Sequence, residues 1–362
     1  MTFLPFPRAE LPTPALIVDL AALERNIARM AEFAAARGIA LRPHAKTHKS
    51  GEIARRQIAA GAVGICCAKL REAEVLAEAG VGDIHLTSPV VTAEAIGRLA
   101  RLNARISLSV VVDHPDNVAA LAAGVDRPLS VFIDVDPGTH RTGVASAEAA
   151  MALAGRIAAA PMLRLGGVQF YCGSQQHIQG FAERQAAIAD RTDYLRTVLA
   201  ALAAAGVSVP VVTGGGTGSF VIDAELGVLT ELQVGSYVFL DREYRDCEFA
   251  GAPAFEPALA VDATVISANA SGMVTVDAGL KAFAADAGAA VVLGGAPLDS
   301  LYAFMGDEHG ALIGEGLPGL GARVALMPPH CDPTVNLYDR YFVVEGDRVV
   351  DVWAVTARGC SW

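Results

Sequence analysis

Residues 41–49 read LRPHAKTHK, a run that holds two of the chain's four lysines and two of its eight histidines. A lysine attacks a carbonyl when its amine is held uncharged, by desolvation or by neighbouring cations, and Arg42, His44, His48 and Lys49 flank Lys46 in sequence. The chemistry open to such an amine is imine formation with an aldehyde. Taken alone, a run of this kind is more commonly a solvated basic loop. Two further stretches change its weight. In TGGGTGS (213–219), Gly214, Gly215 and Gly216 allow close backbone approach, and the amides and hydroxyls of Thr217, Gly218 and Ser219 could hold a phosphate. The loop has neither the GK[ST] ending of a Walker loop nor the GxGxxG of a dinucleotide fold. In PPHCDPTVNLYD (328–339), an extended backbone would place His330 and Asp332 on one face and turn Cys331 away. A histidine with a carboxylate suits manganese, magnesium or calcium better than a thiolate-preferring zinc site. A phosphate held by late barrel strands and a lysine from an early one suit pyridoxal phosphate lying across the mouth of a barrel.

The elements that must position these residues follow from periodicity. Short β-branched runs at 15–19, 40–45, 64–68, 83–88, 105–113, 129–136, 165–171, 209–213 and 232–239 alternate with Ala-rich stretches of helical period, the rhythm of parallel βα units. Nine strands are one too many for an eight-stranded barrel. Beyond residue 247 the rhythm gives way to ALAVDATVISA, GMVTVDAG, ARVALMP and YFVVEGDRVVDVWAV, strand-like runs separated by turn residues. The expected architecture is α/β: a TIM-type (β/α)8 barrel over residues 19–247, and a mainly antiparallel β domain from residues 1–18 and 248–362 that takes the surplus first strand and carries the metal pair. On a barrel, Lys46 would stand at the C-terminal end of its strand, the face where barrel enzymes place their chemistry.

The formal charge of -11 argues against a nucleic-acid or anionic-membrane partner and leaves small molecules as the expected ligands. No apolar run reaches the length of a membrane span. The start, MTFLPFPRAELPTP, lacks a basic leader and an apolar core, so a cytoplasmic protein is expected. The six cysteines follow no metal-knuckle or disulfide spacing and read as reduced thiols.

Taken in order, RPHAKTHKS, GICCAKLREAEVLAEAGVGDIHLT, DVDPGTHRTGV, GGGTGS, ELQVGSYVFLD, DEHG and HCDPTVNLYD resemble the D-threonine aldolase and D-serine dehydratase-like family. These are fold-type III pyridoxal-phosphate enzymes related to alanine racemase, and the resemblance runs from about residue 12 to the C-terminus. It implies that Lys46 joins the cofactor aldehyde and that Arg141 and Tyr171 lie close to the cofactor. It also implies that Gly216, Thr217 and Gly218, with Gly235, Ser236 and Tyr237, surround the phosphate, and that Gln233 faces the pyridine nitrogen. His330 and Asp332 match the family's metal pair, with manganese expected and magnesium or calcium as alternatives, and the family is homodimeric. His177 matches the histidine that takes the β-hydroxyl proton in aldolases. Dehydratases of the family carry a cysteine two residues after the metal histidine and bind zinc, whereas aldolases carry aspartate. Asp332 occupies that position here. The resemblance thus implies a D-threonine-like aldolase forming glycine and an aldehyde. D-3-hydroxyaspartate aldolase, a D-serine or hydroxyaspartate dehydratase, and a non-catalytic cofactor carrier are the alternatives.

Overall fold

Parallel strands cannot be joined by tight turns, so each needs a crossover, and this chain supplies amphipathic helices. The first helix, Leu20–Arg37, shows the pattern. Its N-terminus is capped by the Asp19 carboxylate, which accepts the Ala22 N–H at 2.9 Å, and it ends at Gly38 in the left-handed region (φ 65°). Between the caps, Leu23, Ile27, Met30 and Ala34 recur at helical spacing and are buried. Each large apolar side chain of this kind contributes about 1.5–3 kcal/mol.

The structure is a computed structural model and describes residues 4–362. Eight parallel strands, Ala40–Leu41, Ile65–Cys67, Asp83–Leu86, Ser107–Val112, Leu129–Asp134, Leu163–Phe170, Val211–Gly214 and Glu231–Leu232, form one sheet. The first pairs with the last, and a parallel bridge between His44 and Cys66 joins the first strand's extension to the second. This closes the barrel. The expected strand at 40–45 is regular only over two residues, although the Arg42 and His44 amides still donate to the Leu232 and Val234 carbonyls at 2.9 and 3.0 Å. The expected strand at 232–239 is a correction. Regular pairing stops at Leu232, and Ser236–Val238 is a single 3-10 turn. The reason is close approach: a Cβ at Gly235 would meet Thr47 Oγ1 at 2.6 Å, so the chain turns in against the lysine loop where a strand would run straight.

The second sheet has ten strands. Ala15–Asp19 lies inside it, antiparallel to Leu259–Ala270 and parallel to Arg340–Glu345, as the surplus strand was expected to do. Leu259–Ala270 also pairs with Arg323–Met327, which curls the sheet on itself. Asn26, on the first helix, ties the two parts together by donating to the Val238 and Glu256 carbonyls and accepting the Glu256 N–H at 2.8 Å. Among the described residues, no helix is long and apolar enough to cross a membrane.

Candidate active site

Lys46 follows the His44–Cys66 bridge at the C-terminal end of the first strand. His44 shapes this corner. Its Nδ1 accepts the Lys46 N–H at 3.3 Å, so its Nε2 carries the proton and donates to Thr87 Oγ1 at 3.1 Å. Burial, helped by the Lys46 charge, lowers the His44 pKa well below its ordinary value and keeps the ring neutral. Lys46 opens into a cavity of about 440 Å³, whose walls include Arg141, Tyr171, Gln233, Thr217 and Ser236.

The expected mechanism of lysine activation is corrected here. The neighbouring cations are engaged elsewhere: Arg42 with Glu231 and Asp83, and Lys49 with Glu72 at 3.1 Å. His48 is hydrogen-bonded to Gln57, and burial lowers it to about 4, so it is uncharged. Lys46 Nζ instead pairs with Asp332 Oδ1. Burial works against the ammonium, but the Asp332 carboxylate outweighs it and raises the lysine's pKa. The second lysine of the run is structural. Glu72 is fully buried, accepts the Ala68 N–H and has Lys49 as its counter-ion. Removing one partner of such a pair costs about 3–5 kcal/mol. Lys49→Met is therefore expected to lower unfolding stability by about that amount in denaturant titrations, and a change below about 1 kcal/mol would remove this role.

The glycine loop works differently from the sequence expectation. The Gly218 N–H is taken by Gln176 Oε1 at 2.8 Å and the Ser219 N–H by the Gly216 carbonyl, so these amides face protein. Gln176 also donates to Ser219 Oγ at 2.7 Å, which in turn donates to Asp223 at 2.6 Å. Burial raises Asp223 to about 7. Gly218 is required because a Cβ there would sit 2.1 Å from the Gln176 carbonyl oxygen. The uncommitted donors are the N–H groups of Thr217, Gly235 and Ser236, which make no hydrogen bond among the described residues and border the cavity. Three free amides bordering one cavity are a donor set of the kind a phosphate needs. Tyr237 stands behind this cradle. Its ring is fully buried with its hydroxyl bound to Gln57, and its N–H goes to Thr217 Oγ1 at 3.0 Å, so its side chain lies in the core and away from the cavity wall.

Arg141 and Tyr171 meet on the cavity wall, the guanidinium carbon 5.6 Å from the ring centroid. The turn before Arg141 is held by Asp136, whose carboxylate accepts the N–H groups of Gly138, Thr139 and His140 at 2.9–3.0 Å.

His330 and Asp332 come together, but through a different backbone from the extended one expected. Cys331–Val335 is a short helix with His330 at its N-cap. His330 Nε2 stands 3.8 Å from Asp332 Oδ2, and its Nδ1 is 2.7 Å from Asp286 Oδ2. A carboxylate on the far ring nitrogen is the usual support of a metal-binding histidine. Burial opposes the imidazolium, but Asp332 and Asp286 outweigh it and hold the His330 pKa up, so this is a site that seeks positive charge. Among the described residues, no group of three or more ligating side chains converges. Cys331 is buried, with its N–H on Asp241 at 2.8 Å and its sulfur 3.5 Å from Asp332 Oδ2. Burial and these two carboxylates push the thiol's pKa well up.

The family model for the alanine racemase N-terminal domain matches residues 18–243, and that for a putative serine dehydratase domain matches residues 258–344. The chain is 40% identical to a D-threonine aldolase of Arthrobacter sp., over 98% of this chain and 95% of that protein. It is 38% identical to a 3-hydroxy-D-aspartate aldolase of Paracoccus denitrificans, over 97% and 93%. The chain belongs to the D-threonine aldolase and D-serine dehydratase-like family. A crystal structure of the D-threonine aldolase from Filomicrobium marinum superposes with a TM-score of 0.97 at 39% identity, covering 100% of both chains. The fold-type III family is one of pyridoxal-phosphate enzymes.

His177 ends the 3-10 turn Ser174–His177 as an exposed residue, with its ring 5.2 Å from that of Tyr244. Its Nδ1 is 3.4 Å from Glu243 Oε1, and Glu243 Oε2 is 4.0 Å from His330 Nδ1. Glu243 thus stands between His177 and His330. Burial, then the charge on His330, lowers the His177 pKa and keeps the ring neutral near pH 7. His177→Asn is expected to retain the cofactor absorbance and lose about 100- to 10,000-fold in retro-aldol turnover. The free base is the working form, so the wild-type kcat/KM should fall as pH drops through a pKa below 6.5, and the variant should lose that limb; near-normal turnover in the variant would eliminate this role. The sequence reading missed Glu243, Asp286 and Gln176. Glu243 and Asp286 sit in stretches with no motif, and Gln176, although next to His177, gives no signal of its contact with the glycine loop 42 residues on.

Proposed function

We propose that the chain is a pyridoxal-phosphate- and divalent-metal-dependent aldolase that cleaves D-threonine-like β-hydroxy-α-amino acids to glycine and an aldehyde. The observation that carries this reading is the pairing of His330 with the Asp332 carboxylate, while the adjacent Cys331 thiol is buried and held protonated. A carboxylate and an imidazole form a hard, modestly charged donor set suited to manganese, with magnesium or calcium as weaker fits. A dehydratase, which must expel hydroxide, would be better served by zinc on a thiolate.

The residues present fit both groups. The free amides of Thr217, Gly235 and Ser236 seat a phosphate, and Lys46 supplies the amine at the same cavity. When bound, the cofactor supplies the electron sink for the Cα–Cβ bonding pair. An ion on His330 and Asp332 would supply Lewis acidity toward the substrate's β-oxygen. His177 accepts the β-hydroxyl proton at its free ring nitrogen, and Glu243 holds the ring in place through the other. Lys46 lines the cavity and pairs with Asp332, so the amine and the proposed metal ligands are adjacent.

D-3-hydroxyaspartate is a second reading, favoured by Lys69 and Arg141. Both line the cavity, and neither forms an ion pair among the described residues. Two free cations would suit a substrate with a second carboxylate. A homodimer is part of the same proposal, and its check is sedimentation at micromolar concentration.

The deciding experiment incubates the enzyme, with pyridoxal phosphate and manganese, separately with D-threonine, D-3-hydroxyaspartate and D-serine, and measures glycine and ammonia in parallel. Glycine that disappears with EDTA is the expected result. Ammonia without glycine would replace the aldolase with a dehydratase.

A further inference from the structure

Below the cofactor cradle the barrel interior holds five polar side chains, from Asp134, Gln169, His85, Thr213 and Gln233, all buried to 4% exposure or less. Their hydrogen bonds admit one polarity. Gln169 Nε2 is 3.0 Å from Asp134 Oδ1 and 3.2 Å from the Thr87 carbonyl oxygen. A carboxylate and a carbonyl can only accept, so this end of the Gln169 amide is its NH2 group and the other end is its oxygen. That oxygen is 3.2 Å from both His85 Nε2 and Gln233 Nε2. Both must donate. His85 does so as a neutral ring, since burial lowers it to about 3, and its Nδ1 accepts from Ser109 Oγ at 2.8 Å.

Gln233 is oriented in turn. One N–H goes to Gln169 and the other to Thr213 Oγ1 at 3.0 Å. Thr213 can accept it because its own proton is given to Glu231 Oε1 at 2.8 Å. Both Gln233 protons are used, its oxygen has no hydrogen bond among the described residues, and the residue lines the cavity. Gln169 lines the cavity as well, but its donors and acceptors are all engaged. What this wall offers a ligand is an acceptor.

We infer that the barrel holds the cofactor's ring nitrogen in its protonated form, by presenting it with the Gln233 carbonyl oxygen in an orientation relayed from Asp134 through Gln169. This rests on the pyridoxal-phosphate reading above. On the pyridine ring the nitrogen stands para to the carbon that bears the aldehyde. A cofactor joined to Lys46 and seated at Thr217, Gly235 and Ser236 therefore turns its nitrogen away from the lysine, toward the wall that Gln233 and Gln169 form. An unprotonated nitrogen would set lone pair against lone pair there, whereas a pyridinium N–H makes a charge-assisted hydrogen bond. The protonated ring is the stronger electron sink, which suits a reaction that leaves a bonding pair on Cα.

The test loads the holoenzyme with 15N-labelled pyridoxal phosphate and reads the ring-nitrogen NMR resonance at neutral pH. The expected signal lies at the pyridinium position. Gln233→Glu keeps an acceptor and should leave it there, whereas Gln233→Met should move it to the pyridine position. A wild-type signal at the pyridine position, or a Gln233→Met signal identical to wild type, would overturn the inference while leaving the cofactor in place. A chain that takes up no cofactor, judged by the absence of a visible band that Lys46→Ala removes, would overturn the cofactor reading and this inference with it.

Discussion

Lys46→Ala is expected to abolish the visible absorbance of the bound cofactor and to lower aldol cleavage by on the order of 10,000- to 1,000,000-fold, the scale on which removal of a covalent nucleophile acts in other enzymes. No neighbour can take over. The other lysine of the run, Lys49, is buried on Glu72, and Lys69, though on the cavity wall, lies at the start of the helix Leu70–Glu78, beyond a different strand. The measurement is a spectrum and a single-turnover assay at saturating pyridoxal phosphate. Retention of the band in the alanine variant would mean that another amine holds the cofactor and that the site has been assigned to the wrong lysine.

Asp332→Asn is expected to have the second-largest effect. The substitution keeps the shape but removes the charge that faces His330 Nε2 at 3.8 Å and pairs with Lys46. Manganese affinity, read by the loss of the free-ion EPR signal, should fall by at least about 100-fold, since even loss of a supporting partner costs 10- to 100-fold. Activity should fall in parallel and be partly recovered at high manganese. The same change has a second signature in the cofactor-free protein. Burial without a carboxylate neighbour lowers a lysine's pKa, so Lys46 should react with an amine-directed reagent at lower pH than in wild type. Unchanged metal affinity would move the metal site away from this pair. His330→Ala should reproduce the metal defect without the change at Lys46, which separates the two roles of the aspartate.

Much of this molecule is legible in its one-dimensional pattern. Strand runs alternating with Ala-rich helical stretches specify parallel βα units, because side-chain burial on a barrel follows the 2- and 3.6-residue periods directly. The switch to strands and turns after residue 247 marks the second sheet just as plainly. Lys46 and the pair His330 and Asp332 were named as candidates through the motifs that resemble the family, and the fold brings Lys46 and Asp332 into contact.

What failed was anything dependent on a partner distant in the chain. Arg42, His48 and Lys49 stand beside Lys46 in sequence and suggested a depressed amine, yet each is bound to a residue from another strand or helix, and the charge that governs Lys46 comes from Asp332, 286 positions away. His330 and Asp332 share a face through a helical turn where an extended strand was expected. The glycine loop was recognised, but which of its amides are free depends on Gln176, which claims Gly218 from a different barrel loop. The sequence by itself determined the two sheets, since these rest on local periodicity, while Lys46 and the pair His330 and Asp332 stood out only as candidates carried by the family resemblance. Tertiary structure alone decided the protonation of Lys46, the free donors of the cradle and the acceptor offered by Gln233, because hydrogen-bond polarity and charge balance are settled by partners that only folding brings within 3 to 4 Å.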